Sequence, residues 1–441
     1  MTGTAAKSHD APRPPGPMDF LPARVLPLLY LGFAHACLAV VFGVLTLSPG
    51  RVEGFYYQPR MFALVHLVTL GWITSSILGS LYLVAPLALR VSLPAGRLDY
   101  GTFAAFAVGV AGMANHFWID RPVGMLWAAP LVPLAILRVA GRALPGVRRA
   151  PIPPEVKVHV VFALANIFLA AGLGFLLGLN KVRPIVTLPG FPGVVAHAHL
   201  AAIGFAAMIA MGVGYRLLPM LLPSAMPRGA WAWATALLTE AGVLVIVAGA
   251  LAPEPLYAPG AVLAAAGLVV FLSRILWMLR HPRPAPPERR RPDWGLAHVF
   301  ASFLWLALAV VLGLALAVLP GSDATMAFAK VYGLAGLVGF LSQLIAGVEA
   351  RLVPLAAWLW SYADGGHREL PPSLHDAPSR ASQAAAFALW NAGLVVLAVG
   401  LHGDRRLLVS VGGAVLLAAV AARATDTVLV LRRLHTRGAS V

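Results

Sequence analysis

The stretch 199–219, HLAAIGFAAMIAMGVGYRLLP, has an earlier copy in the chain at 66–86, HLVTLGWITSSILGSLYLVAP. A third copy at 334–354 keeps two glycines and the final proline, but has Leu334 where the other copies begin with histidine. Each copy is long and apolar enough to form a membrane-spanning helix. This threefold internal repeat predicts an all-α protein. The matched positions of the first two copies are His66 and His199, Gly71 and Gly204, Gly79 and Gly212, Tyr82 and Tyr215, and Pro86 and Pro219.

The composition predicts a protein that lies in a lipid bilayer. Of the 441 residues, 59% are hydrophobic and only 11% are charged, so a soluble fold could not bury all the apolar surface. The net charge of +16 comes from Lys and Arg gathered in short breaks between apolar runs, which argues against nucleic-acid binding. The single cysteine, Cys37, excludes disulfides, zinc knuckles and covalently attached c-type heme.

We predict one membrane domain, 23–433, with about twelve transmembrane helices in three pseudo-symmetric units of four helices. The units are 23–150, 151–292 and 293–433, and 1–22 and 434–441 are predicted to be cytoplasmic tails, the first of them disordered. The apolar runs lie near 23–47, 61–89, 100–118, 123–140, 157–179, 193–221, 230–252, 258–279, 294–319, 327–356, 382–402 and 406–430.

The basic residues predict the orientation of the chain. Arginines cluster after every fourth apolar run, and Lys and Arg also precede the first run. The positive-inside rule then predicts that both termini are cytoplasmic. We expect the membrane to be the inner (plasma) membrane of a bacterial cell. The clusters are Arg138, Arg142, Arg148 and Arg149; Arg280, Arg283 and Arg289 to Arg291; and Arg432, Arg433 and Arg437.

Three histidines near one depth are the candidate metal ligands. An imidazole inside a bilayer costs free energy unless it is paired, buried among helices or bound to a metal. His66, His197 and His199 all lie a turn or two from the non-cytoplasmic start of their helices. Two inner helices that each offer an imidazole could bind a heme iron from both sides. His197 and His199 are about 200° apart around their helix, so one of them is free for a second site.

Four other side chains have weaker predicted roles. His35, midway along the first helix, is a candidate for a second metal site. Glu240 is the best candidate for proton delivery or a non-heme metal ligand, because carboxylates are rare inside membranes. A hydrogen bond between helices is the alternative role for Glu240. His159 and His298 are expected in contact with water at the cytoplasmic interface.

The string VVAHAHLAAIGFAAMIAMGVGYRLLP at 194–219 resembles helix X of subunit I of the heme-copper oxidases. In that helix an H-x-H pair, a glycine-containing stretch, an aromatic residue and a proline follow in the same order. The resemblance implies that His197 binds a high-spin heme, and that His199 and His66 bind a low-spin heme b. A core of twelve helices in three arcs is also implied.

The chain departs from the pattern of that family. Its H-x-H pair lies on the sixth apolar run rather than the tenth, so the roles of His197 and His199 are open to exchange. The family's three copper ligands have no counterpart, which puts dioxygen splitting and proton pumping in doubt. The pattern is closer to divergent members such as nitric oxide reductase-like chains and NnrS-type proteins, which look like heme and copper binders.

We therefore expect a membrane redox protein with one or two hemes b, in which a low-spin heme passes electrons to a second heme or metal site. That second site would bind nitric oxide or dioxygen on heme, copper or non-heme iron. An enzyme of this kind would be an oxidoreductase of the heme-copper oxidase or nitric oxide reductase type. Its electron donor, a quinol or a cytochrome c or cupredoxin, must come from elsewhere, and small accessory subunits are compatible with it. The alternatives are a non-catalytic heme-b electron carrier, a sensor that binds nitric oxide, and a transporter.

Overall fold

Twelve long helices match the twelve predicted apolar runs. The computed structural model describes residues 21–187, 189–284, 293–366, 371, 373 and 376–435, and this part of the chain contains no β-strand. The prediction of an all-α protein with about twelve helices is confirmed. The helices are α1 Val25–Leu47, α2 Pro59–Ala88, α3 Arg97–Trp118, α4 Met125–Arg149, α5 Pro154–Val182, α6 Gly190–Leu221, α7 Ala230–Leu251, α8 Ala258–Arg280, α9 Trp294–Val318, α10 Asp323–Asp364, α11 Arg380–His402 and α12 Arg406–His435.

Eleven of the helices in the described ranges are long and apolar enough to cross a membrane. The remaining long helix, α3, is less apolar because its ends carry Arg97, Asp99 and His116. Its inward-facing carboxylate, Asp99, is buried and ion-paired with Arg142 of α4. A polytopic membrane protein is the architecture that these helices support.

Each of the helices α2, α6 and α10 contains an eight-residue π-helical segment. The segments are Leu67–Thr74, Leu200–Ala207 and Ala335–Ser342. Each begins directly after the repeat position held by His66, His199 or Leu334. Because π-helix is rare and usually limited to a single turn, three equal segments at equal positions are a structural copy of the sequence repeat. The three segments contact one another at the centre of the bundle, so we call α2, α6 and α10 the inner helices.

Hydroxyl groups complete the hydrogen bonding of two π segments. Thr74 Oγ1 donates to the carbonyl of Thr69 at 2.8 Å, and Ser342 Oγ donates to the carbonyl of Leu337 at 2.6 Å. Both hydroxyls stand at the last position of their segment and reach five residues back. In α6 the same position holds Ala207, which has no hydroxyl. A buried carbonyl is thus satisfied where the backbone ladder changes its spacing.

Glycines let each inner helix pack closely against the helix before it. A Cβ at Gly71 would lie 2.7 Å from Cβ of Cys37 in α1, and a Cβ at Gly204 would lie 2.6 Å from Cγ of Asn166 in α5. Gly339 has the same relation to Trp305 in α9. Each of these glycines therefore faces a neighbouring helix.

The second glycine of each repeat accommodates a buried side chain. Gly212 lies under His159, and Gly347 lies under His298. The expectation that these two histidines are in contact with water is wrong, since their exposed fractions are 0% and 3%. The absence of a side chain at Gly212 and Gly347 leaves room for the neighbouring imidazole. His159 Nδ1 also bonds the carbonyl of Glu155 at 2.7 Å.

The helices outside the three inner ones pack in a regular order. The inner helices contact α1, α5 and α9 respectively, and the two helices after each inner helix pack together as the hairpins α3–α4, α7–α8 and α11–α12. The last helix, α12, also packs against α1 and closes the ring. On either side of the H-x-H motif, Ala196 and Leu200 are buried.

Parts of the predicted tails lie outside the described residues. These parts are residues 1–20 and 436–441, which include Arg437 of the third basic cluster. The arginines 289–291 of the second basic cluster also lie outside the described residues. At the other end of the domain, α12 continues to His435, slightly beyond the predicted boundary at 433. Pro22 belongs to the packed structure, because its carbonyl accepts a hydrogen bond from Trp360 Nε1 at 2.9 Å.

Replacing Gly212 by alanine tests the helix packing. The new methyl group would overlap Cβ of His159, and overpacking of this kind costs about 1–3 kcal/mol. We expect a lower midpoint of thermal unfolding for the purified protein in detergent. Gly214→Ala on the same helix is the matched control, because the nearest atom there is 3.4 Å away, at ordinary contact distance. Equal midpoints for the two variants would contradict this account of the packing.

Candidate functional site

His66 of α2 and His197 of α6 face each other across the junction of these two inner helices. Their ring centres are 6.1 Å apart and their planes differ by 22°. Two nitrogens that bond one metal from opposite sides lie about 4 Å apart, because each metal–imidazole bond is about 2.0 Å long. The separation of the two rings is compatible with such an arrangement.

Backbone carbonyls hold both imidazoles in place. His66 Nδ1 bonds the carbonyl of Phe62 at 2.8 Å, one turn earlier on α2. His197 Nδ1 bonds the carbonyl of Ala170 at 2.9 Å, and this carbonyl belongs to α5. A carbonyl only accepts hydrogen bonds, so Nδ1 carries the proton in both rings and Nε2 is left with its lone pair. Neutral imidazoles oriented by a second hydrogen bond are the usual state of histidine metal ligands.

A large cavity adjoins the two rings. Its volume is about 590 Å³, which lies within the range of cofactor sites, and His66 and His197 both line it. Most of the wall is apolar, with small residues from α5 and α6 and with phenylalanines from α2, α3, α5 and α6. The phenylalanines are Phe62, Phe117, Phe168, Phe175 and Phe205, and the small residues include Ala170, Ala171, Gly172, Gly174, Gly178, Ala201 and Ala202. This wall suits a large, flat and mainly apolar group.

Gly174 of α5 makes the position of His197 available. A Cβ at Gly174 would lie 2.7 Å from Cε1 and 2.9 Å from Nδ1 of His197. The imidazole could not then reach the carbonyl of Ala170 one turn earlier on α5. Gly172, two residues away, lines the same cavity but has open space around its Cβ position.

Lys181 supplies a positive charge at the end of the cavity next to the C-terminal turn of α5. Its Nζ lies 4.9 Å from the ring centre of Phe62 and 5.5 Å from that of Tyr57. Among the described residues that line the cavity, Lys181 is the one with a charged amino group, and Asp, Glu and Arg are absent from the lining. An anionic group of a bound molecule would therefore be attracted to this end of the cavity.

His199 points to the opposite side of α6 and faces Tyr332 of α10. The ring centres are 6.2 Å apart, the planes differ by 24°, and the Tyr332 hydroxyl lies 3.3 Å from His199 Nε2. His199 Nδ1 bonds the carbonyl of Val195 at 2.8 Å. The family resemblance implies that His199 is the partner of His66, whereas the structure brings His197 to that place. Both members of the H-x-H pair thus face an inner helix, but different ones.

His35 lies away from these two pairs, between the first and third inner helices. Its Nε2 is 3.7 Å from Glu349 Oε2 of α10, and its ring meets the edge of Trp72 at 5.0 Å. His35 Nδ1 bonds the carbonyl of Leu31 at 2.9 Å. Glu349 is 2% exposed, so a carboxyl group lies deep in the bundle beside an imidazole. The structure does not bring His35 to the His66–His197 cavity.

Glu240 of α7 is joined to α5 by a hydrogen bond. Asn166 Nδ2 donates to Glu240 Oε2 at 2.7 Å and also to the carbonyl of Phe162 at 2.9 Å. Asn166 stands one turn before Ala170, the residue whose carbonyl holds His197. This contact is the hydrogen bond between helices that the sequence analysis gave as the alternative role of Glu240. The carboxyl group is not in contact with the three candidate histidines.

Gly174 and Tyr332 are the site residues that the sequence analysis missed. Tyr332 stands just ahead of Leu334, in the place that His197 takes ahead of His199 in the second copy of the repeat. Comparing this position across the copies would have found it, although the residue type differs. Gly174 carries no signal of its own among the 43 glycines of the chain.

No family model and no curated protein matches this sequence. Among the described residues, no three His, Cys, Asp or Glu side chains are grouped as a metal would require. The two facing pairs on the inner helices are therefore the features on which a functional proposal rests.

Replacing Gly174 by alanine tests the support of His197. The methyl group should displace the imidazole and break its hydrogen bond to Ala170, which typically lowers the affinity of a metal site by about 10- to 100-fold. For the heme site that we propose below, we expect less bound heme per chain than in the parent protein. Gly172→Ala is the control, because its methyl group meets open space. Equal heme content in the two variants would show that Gly174 does not position His197.

Proposed function

We propose that the chain is a heme-binding integral membrane redox protein, in which His66 and His197 bind the two sides of one heme b iron. The observation that carries the proposal is the facing pair itself, with ring centres 6.1 Å apart beside a cavity of about 590 Å³. Both rings have Nδ1 committed to a carbonyl and Nε2 available. These residues fit a bis-histidine heme site.

The protein's own groups would orient and balance the charge of the bound group. The carbonyls of Phe62 and Ala170 fix the two imidazoles and raise the basicity of Nε2. Lys181 would pair with a propionate at the outer end. The phenylalanines would exclude water from the remainder of the cavity. A heme with two histidine ligands supplies one-electron transfer and has no open position for a substrate.

Binding of a diatomic molecule would therefore need a second site, and His199 is the group available for it. His199 lies on the same helix as His197 and faces the next inner helix. Electrons would pass from the His66–His197 site to a second heme or metal site at His199, where nitric oxide or dioxygen would bind. Without such a site, the chain would be a non-catalytic electron carrier or a sensor of nitric oxide.

Three four-helix units around a pseudo-threefold axis are part of the proposal. The equal π segments, the repeated glycine contacts and the three helix hairpins support units of 23–150, 151–292 and 293–433. An arrangement of this kind, with the H-x-H motif, supports membership of the heme-copper oxidase superfamily as a divergent member akin to nitric oxide reductase-like and NnrS-type proteins. The oxidoreductase activity of that superfamily would require the second site at His199.

The proposed location is the plasma membrane of a bacterium, with both termini in the cytoplasm. Arginines of the described residues lie at the ends of α4, α8 and α12, and the positive-inside rule assigns these ends to the cytoplasm. The histidine pairs then lie toward the outer side. An electron donor such as a quinol, a cytochrome c or a cupredoxin would approach from there, with or without small accessory subunits.

Absorption spectra of purified variants test the proposed heme site. The reduced parent protein should show the sharp α and β bands of a bis-histidine heme, and His66→Ala and His197→Ala should each abolish them. His199→Ala should keep them, because His199 faces Tyr332. His281→Ala, at an exposed position, is the control.

Two outcomes would contradict the assignment. A colourless parent protein would favour the transporter alternative, and retention of the bands in His197→Ala with loss in His199→Ala would reverse the pairing. A spectral change on adding carbon monoxide or nitric oxide would mark an open coordination position, which a sealed electron carrier lacks.

A further inference from the structure

An aromatic cluster covers the ends of α2 and α6 that carry His66 and His197. The ring centres of Phe55 and Phe191 are 5.7 Å apart, and those of Tyr57 and Phe191 are 5.8 Å apart. Phe55 and Tyr57 belong to the connection between α1 and α2, and Phe191 lies in the first turn of α6. Because α2 and α6 are both inner helices, the cluster stands above their junction.

The connection between α1 and α2 is held in a fixed conformation. Arg406 Nη2 of α12 donates to Glu53 Oε2 at 2.7 Å, and Gln58 Nε2 donates to the carbonyl of Glu53 at 3.0 Å. Gly54 has a φ of 73°, in the left-handed region that favours glycine. Phe55 follows directly and is 46% exposed. A large exposed aromatic side chain on an ordered segment is typical of a protein interface.

Contacts bring three connections together around this cluster. Lys181, at the end of α5, has Nζ 5.5 Å from the ring centre of Tyr57. Asp120, between α3 and α4, interacts electrostatically with Lys181. Phe117, in the last turn of α3, has its ring centre 5.7 Å from that of Phe62 in α2. The connections α1–α2, α3–α4 and α5–α6 therefore form one surface.

This surface is basic. Its stretches 48–60, 119–124 and 181–190 hold five basic and two acidic residues, whereas the stretches 252–257 and 319–323, at the same ends of the later helices, hold two acidic residues and no basic one. We call the five basic residues, together with Phe55, the outer basic surface. The basic residues, all of them exposed, are Arg51, Arg60, Arg121, Lys181 and Arg183.

The proposed topology does not account for these charges. It assigns the beginnings of α2 and α6 to the outer side of the membrane, and the positive-inside rule expects few Lys and Arg in short outer loops. An anionic partner in the outer aqueous phase would account for them. Of the two acidic residues on this surface, Glu53 is already paired with Arg406, which leaves the balance further toward positive charge.

The aromatic cluster leads from this surface to the proposed heme ligand. The ring centre of Tyr57 is 5.3 Å from that of Phe62. Phe62 lines the cavity beside the two histidines, and its carbonyl holds His66 Nδ1 at 2.8 Å. A redox group that rests on Phe55 and Tyr57 would therefore be separated from a bound heme by few side chains.

We propose that the outer basic surface is the docking site of a soluble, acidic one-electron carrier protein. The reduced carrier would give one electron to the ferric heme, which becomes ferrous, and no bond is made or broken and no proton moves. Complementary charge would speed the encounter, and Phe55 would form the apolar centre of a small interface. This inference rests on the proposed function, since it names the class of electron donor for the heme of His66 and His197.

The rate of heme reduction tests the docking site. At low ionic strength, a reduced cupredoxin of net negative charge should reduce the parent about tenfold or more faster than a reduced cytochrome c of net positive charge, and the difference should fall with added salt. The double variant Arg51→Glu/Arg183→Glu should lose this difference. Arg280→Glu is the control, because it makes the same kind of charge change at an exposed site on the cytoplasmic end. Stopped-flow absorption at the heme bands measures each rate.

Binding measurements separate this inference from the proposed heme site. The oxidised acidic cupredoxin should bind the parent and His66→Ala equally in nanodiscs of phosphatidylcholine, although His66→Ala lacks the heme spectrum. A colourless parent that still binds the carrier would contradict the heme proposal alone. Equal reduction rates with the two carriers, or equal binding by the parent and the double variant, would overturn the docking site and leave the heme standing. Loss of bound phosphatidylglycerol in the double variant, with carrier binding unchanged, would also overturn it.

Discussion

The structure depends on the requirement that backbone polar groups in a hydrocarbon layer have partners, and on the free-energy cost of an unsupported imidazole there. The three histidines meet it through Nδ1, which bonds a carbonyl in each case. His66 and His199 use carbonyls of their own helices, whereas His197 uses one from α5, and this contact needs a glycine at 174. These hydrogen bonds lower the free-energy cost of placing the imidazoles in the membrane. Nε2 of each ring takes no part in them. The hydrogen bond that stabilises each imidazole therefore also fixes its orientation.

Most of the fold could be predicted from the sequence because bilayer thickness fixes the length of an apolar run. All twelve predicted runs are helices, and most boundaries differ by a few residues. The sequence could not place His159 and His298, because their burial depends on glycines of another helix, Gly212 and Gly347. The π segments were not predictable either, since their i to i+5 bonding has no simple residue pattern.

The candidate site could be predicted in its residues but only partly in its pairing. The repeat and the membrane setting identify His66, His197 and His199, and the H-x-H spacing predicts that two of them face opposite sides. Which of the two meets His66 depends on the order of the helices around the centre and on the wider turn of the π segment that follows. The contact of His35 with Glu349 joins the beginning of the chain to its last inner helix. No local pattern connects residues so far apart.

The position of both H-x-H histidines on α6 has a mechanical consequence. Their rings lie on opposite sides of one helix: His197 faces His66, and His199 faces Tyr332. A small rotation of α6 about its axis would shift the two rings in opposite directions relative to the flanking inner helices. Leu341 of α10 lines both cavities, so a turn of α6 would affect its surroundings on both sides. Because His197 Nδ1 also bonds the carbonyl of Ala170 in α5, such a turn would strain the contact of α6 with this outer helix as well.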